Sequence, residues 1–177
     1  PWIIKGDQGG SAGLFRDGKG STWEGGQREP SIAWWPGTIA AGVVEMNLGA
    51  TKDIYATAMN LAGAKVSEDR IVDGVDLSGN LNSKFGAKAN TETFFYFGFD
   101  NTVFAVRQGK WKLHIRTHSQ TGESYFSDPL PLLFDLDTDP SEKYNLALAN
   151  LELVKKLEEL ILKFNEEAAA NPSFYTL

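Results

Sequence analysis

The second half of this 177-residue chain predicts a small α+β unit, a four-stranded antiparallel sheet packed on a C-terminal helix. Three observations carry that expectation. Aromatic and β-branched runs recur at short intervals between residues 93 and 117. An apolar run, LPLLFDL, follows at 130–136 and stops at an acidic turn sequence. The last long segment, 150–169, carries an apolar stripe at helical spacing.

TFFYFG (93–98) and TVFAVRQG (102–109) read as the first two strands. KWKLHIRT (110–117) alternates, with Trp111, Leu113 and Ile115 on one face and Lys110, Lys112, His114 and Arg116 on the other. His114, on that polar face, is expected at solvent or at a rim. Gln108-Gly109 reads as a hairpin turn. LPLLFDL supplies the fourth strand, and DLDTDPSE (135–142) reads as a capped turn before the last helix. Its Pro140 and missing glycine pivot argue against a calcium loop. Asn150 is placed to cap a helix whose Leu153, Val154, Leu157, Leu160, Ile161 and Phe164 cover one sheet face. Each of those side chains would contribute about 1.5–3 kcal/mol on burial, before entropy.

The first half is less regular. Residues 5–30 hold eight of the 18 glycines and few apolar residues, which predicts a functional loop or a segment packed against another part of the protein. SIAWWPGTI (31–39) reads as a buried strand ended by Pro36-Gly37. Thr51 would cap a helix to about Ala62, with Ile54, Tyr55, Ala58, Met59 and Ala62 on its apolar face. Residues 65–92 are polar and turn-rich.

A net charge of −6 argues against a nucleic-acid surface or a polybasic membrane contact, and no apolar run reaches the length of a membrane span. With no cysteine there is no disulfide framework, thiolate zinc site or thiol nucleophile. His114 and His118 are four apart on strand and loop, a geometry unsuited to a metal pair. The stretch GKGSTWEGGQREP (18–30) holds the residues of most chemical interest. Lys19 lies between two glycines, so its stem is unshielded, which fits either an ammonium aimed at an anion or a solvated loop lysine. Glu24 and Arg28 would pair across a helical turn. Gly25-Gly26 would let another backbone come close, and Trp23 reads as core.

PWIIKGDQGGSAGLFRDGKGSTWEGGQREPSIAWWPGTI (1–39) resembles the formylglycine-dependent sulfatases, the arylsulfatase-like branch of the alkaline phosphatase superfamily. KDIYATAMNLAGA, DGVDL, AVRQGKWKLH and LPLLFDLDTDPSEKYNLA resemble later segments of that family in the same order. The resemblance implies an α/β, alkaline-phosphatase-like remnant of the catalytic domain over 1–92. It assigns 93–177 to the small C-terminal sheet-and-helix subdomain. It also implies that this is a C-terminal portion, because the Cys/Ser-x-Pro-x-Arg motif that yields formylglycine is absent, as are most calcium-binding aspartates.

One functional residue carries over by resemblance. Lys19 matches the lysine that contacts the substrate sulfate, with Trp23 through Pro30, including Glu24 and Arg28, anchoring its loop. GKWKLH (109–114) looks like a second family signature but lacks its upstream context, so Lys110 and His114 stay outside the catalytic set. In the intact enzyme the family implies calcium, formylglycine, a sulfate ester substrate, and an exported, periplasmic or lysosomal location. The chain alone would be inactive and would self-associate through uncovered sheet edges. Competing readings are a phosphate or phosphonate ester hydrolase on the same scaffold, and a non-catalytic interaction module.

Overall fold

The computed structural model describes residues 10–89, 91–98, 102–122, 125–127 and 129–170. The chain forms two compact units, Pro1–Glu29 with Thr93–Leu177, and Pro30–Glu92. Residues 10–29 therefore group with the C-terminal sheet.

In the first unit the strands are β1 (Thr93–Phe97), β2 (Val103–Gln108), β3 (Trp111–His114) and β4 (Leu132–Asp135), in spatial order β1-β2-β3-β4 with every pair antiparallel. The β2–β3 turn falls one residue later than the sequence suggests. Gln108 pairs with Trp111, leaving Gly109 and Lys110 as the two-residue loop, and Gly109 takes the positive φ (56°) such a turn requires.

Pleating sends alternate residues to opposite faces. Phe95, Val106, Leu113 and Leu133 face a helix, α1 (Leu151–Ala170), which buries Val154, Leu157 and Ile161 among them. Leu153, Leu160 and Phe164 flank that core, and the Phe164 ring stacks on Phe95 at 4.2 Å. All six stripe residues thus meet the sheet.

The other face is not open to solvent. Trp23 covers Leu132, Phe134 and Leu136 there, with Tyr125 and Phe126 beside it. His114, expected at solvent or at a rim, is 0% exposed, and so is Lys112 on the same face. This corrects the sequence reading. Alternation separates the two faces of β3 but does not say what covers each, and the cover here comes from about 90 residues upstream, as in the bond between Lys112 and Glu24.

In Pro30–Glu92 the described residues form helix α2 (Asp53–Leu61), the short turn α3 (Ser78–Leu81) and a 3-10 turn, Ser83–Phe85. Residues 31–39 form no strand, and Ile32 and Trp34 are 96% and 83% exposed. A strand needs a ladder partner, and none is present among the described residues. Lys52, not Thr51, sits at the start of α2, and no side chain caps it. Asp53, the first helical residue, instead ties the helix start to neighbouring segments, its buried carboxylate accepting from the N–H of Ala50 (2.7 Å) and of Val75 (2.9 Å). Ile54 and Tyr55, expected on a buried face, are exposed. No helix among the described residues is long and apolar enough to cross a membrane.

Candidate functional site

The loop carrying Lys19 is built on the second face of the sheet. Gly25 N–H donates to the carbonyl of Arg16 (2.8 Å), closing residues 16–25 into a compact loop. The closure explains the paired glycines. A Cβ on Gly25 would collide with the carbonyl oxygens of Arg16 and Asp17, and one on Gly26 would lie 2.6 Å from that of Gly18. Gly25→Ala should therefore cost about 1–3 kcal/mol by forcing this backbone apart. An unchanged thermal midpoint in the variant would refute the close packing.

Residues 24–27 form one helical turn, with the Arg28 guanidinium 4.0 Å from the Glu24 carboxylate, as the spacing of the pair suggests. The stronger ties run to the sheet. Thr22 N–H donates to the carbonyl of His118 (3.0 Å), and Thr22 Oγ1 accepts from the N–H of His118 (3.1 Å). Trp23 packs its ring 4.5 Å from that of His114, and the Arg16 guanidinium stacks over Trp23 and Tyr125. Trp23 is core, as expected.

Beneath Trp23 lies a buried ionic cluster. Lys112 Nζ lies 2.9 Å from Glu24 Oε1 and 3.0 Å from Glu142 Oε1, and it also donates to the carbonyl of Thr22 (2.9 Å). His114 Nε2 meets Glu142 Oε1 at 2.8 Å. Glu142 Oε2 accepts from the N–H of Glu24 (2.7 Å), and Tyr96 OH donates to Glu24 Oε1 (2.8 Å). The Arg107 guanidinium approaches Glu24 Oε2 at 3.8 Å from the rim. Three of the four carboxylate oxygens thereby accept hydrogen bonds and the fourth, Glu24 Oε2, faces the Arg107 and Arg28 guanidinium groups, so the buried charge is paired.

The protonation states follow from the geometry. Burial opposes ionisation of Glu142, but the charge of Lys112, the His114 hydrogen bond and the Glu24 N–H outweigh it and hold the carboxyl at about 2. Burial also pushes His114 below its ordinary value, with Lys112 adding to the effect against the pull of Glu142. The imidazole is thus neutral and donates from Nε2, leaving Nδ1 buried without a partner. Tyr96 is raised well above its usual range by burial and by the Glu24 carboxylate.

Lys19 itself is exposed, at the turn between Gly18 and Gly20, the latter at φ 85°. Lys110, outside the catalytic set by sequence, pairs with Asp135 at 2.6 Å. The acidic turn after β4 works as a cap, Asp139 accepting from the N–H groups of Lys143 and Tyr144. Among the described residues no group of three His, Asp or Glu side chains is arranged to hold a metal ion. Sequence reasoning recognised Glu24 as an anchor but missed Lys112, His114 and Glu142 as its partners. The available signal was the pairing of a segment whose Trp23 reads as core, with a carboxylate next to it, and a strand whose polar face carries Lys and His.

Residues 89–176 match the model of the C-terminal region of aryl-sulfatase. Arylsulfatase A of Bos taurus is 41% identical over 195 residues, covering 98% of this chain and 38% of that protein. N-acetylgalactosamine-6-sulfatase of Canis lupus familiaris is 36% identical over 175 residues, covering 87% of this chain and 33% of its own length. In three dimensions the chain superposes on the PsFucS1 sulfatase from Pseudoalteromonas sp. with a TM-score of 0.74 at 24% identity. That match covers 91% of this chain and 34% of the solved one, and at this identity it speaks to the fold. The chain spans about a third of the length of the curated relatives it matches. With its four-stranded antiparallel sheet, its C-terminal helix and this succession of segments, the chain belongs to the sulfatases and corresponds to their C-terminal portion.

Proposed function

We propose that the full-length protein containing this chain is a sulfuric ester hydrolase and that Lys19 contacts the substrate sulfate. As the S–O bond breaks, negative charge grows on the oxygens around sulfur. A fixed ammonium nearby stabilises that charge more in the transition state than in the ground state. The observation that carries the reading is the exposed Lys19 on a loop closed at Arg16–Gly25 and tied to the sheet. A lysine so mounted is pre-positioned at little entropic cost during the reaction.

Residues 1–92 are assigned to the catalytic domain and 93–177 to the C-terminal subdomain. A formylglycine nucleophile and calcium belong to this reading through the family alone. Neither a Cys-x-Pro-x-Arg nor a Ser-x-Pro-x-Arg motif occurs in this sequence, so this reading assigns the nucleophile, and the calcium ligands with it, to the rest of the protein. The chain's own catalytic contribution is then Lys19.

The test is hydrolysis of para-nitrophenyl sulfate by the full-length protein and its Lys19→Ala variant. The variant should lose about a hundredfold or more in kcat, the usual cost of removing one transition-state charge partner. Wild-type turnover of a phosphate monoester in preference to the sulfate would favour the phosphohydrolase alternative. Undiminished sulfate turnover by Lys19→Ala would remove Lys19 from the site.

A further inference from the structure

We propose that Glu142 and Lys112 are positioning residues for Lys19, so that the C-terminal sheet sets the placement of a catalytic-domain loop through a buried ionic clamp. The inference rests on the sulfate-contact reading of Lys19. Both side chains are 0% exposed, so neither reaches a substrate, and any effect they have on turnover must act through the loop.

The geometry shows where the clamp grips. Lys112 holds the carbonyl of Thr22 and the carboxylate of Glu24, three and five residues beyond Lys19. Glu142 holds the Glu24 N–H from the other side of the same turn. The opposite limb of the loop leans on this one, because the Gly25 N–H bonds Arg16 and the Gly18 carbonyl rests against Gly26. The backbone of Lys19 is therefore suspended between two limbs, and the clamp fixes the limb on which the other depends.

Glu142 is also unusual in its backbone, a non-glycine residue at φ 54° that directs its carboxylate inward. Its two oxygens have separate duties. Oε2 accepts from Glu24 N–H, while Oε1 faces Lys112 and His114. A glutamine keeps the shape but offers one oxygen for both duties, so it must give up either the loop or the cation.

The experiment is a double-mutant cycle on the full-length protein with para-nitrophenyl sulfate, using Glu142→Gln, Lys19→Ala and the pair. Glu142→Gln should lower kcat roughly tenfold with KM changed by less than about threefold, since a misplaced transition-state group costs rate more than ground-state binding. In the Lys19→Ala background the same substitution should cost less than about twofold, because its effect passes through Lys19. Tyr96→Phe, which removes one hydrogen bond to Glu24, is run through the same cycle and carries the test if Glu142→Gln does not fold. Equal losses in both backgrounds would mean only a smaller folded fraction and would overturn the positioning role. Full activity of Lys19→Ala alone would instead overturn the sulfate-contact reading on which it rests.

Discussion

Lys112→Met should destabilise the sheet and loop by about 3–5 kcal/mol, the cost of stripping one partner from a buried ion pair. The reason is the charge balance under Trp23. Glu24 and Glu142 bring two carboxylates within 3.0 Å of a single ammonium, and the nearest other cations, Arg107 and Arg28, stand 3.8 Å and 4.0 Å from Glu24 only. Removing Lys112 leaves Glu142 with a neutral imidazole as its only side-chain partner and places two negative groups face to face. The methionine fills the space of the lysine stem, so lost packing is a minor part of the expected loss. Chemical denaturation of the full-length protein measures it, and a loss below about 1 kcal/mol would show that the cluster is neither dry nor balanced as described.

Acid should weaken the same region in two stages of the same sign. Burial, aided by Lys112, keeps His114 neutral in the fold, whereas the unfolded chain takes up a proton below its ordinary value of 6.5. Folding stability therefore falls as pH drops through that value. Glu142 resists burial and is held at about 2 against an ordinary 4.5, chiefly by Lys112, so its contribution is complete above 4.5 and is lost between there and 2. The difference corresponds to a contribution on the order of 3 kcal/mol above that window. The thermal midpoint should decline from about pH 6.5 and fall more steeply below about pH 4.5. A flat midpoint down to about pH 4, with no loss on further acidification, would contradict both assignments.

The sheet and its helix were legible because their signals are local. Aromatic and β-branched runs, the alternation over 110–117 and the apolar run at 130–136 placed all four strands to within three residues at either end, and the six-residue stripe of the last helix packs into the core beneath the sheet. The clamp was not legible, because it joins residues 24, 112 and 142, which no window of sequence brings together. His114 and Lys112 carry the same letters whether they face water or a carboxylate. The error at 31–39 has another origin. The apolarity of Ile32 and Trp34 says that covering them is favourable, but a strand also needs a hydrogen-bonding neighbour, and the described part of that unit offers none. For Lys19 the spacing alone fits either an ammonium aimed at an anion or a solvated loop lysine, and within the sequence it is the family resemblance that singles it out.

The separation between Glu24 and its partners also bears on the order in which the protein assembles. During synthesis the tryptophan loop leaves the ribosome 88 residues before Lys112 and 118 before Glu142, so its docking surface does not yet exist when it emerges. It must wait unfastened while the hairpins form, and such long-range contacts are made late and slowly. A chain ending before residue 142 would thus release an element 118 residues upstream, and C-terminal truncations should register first as a loosened Trp23 loop.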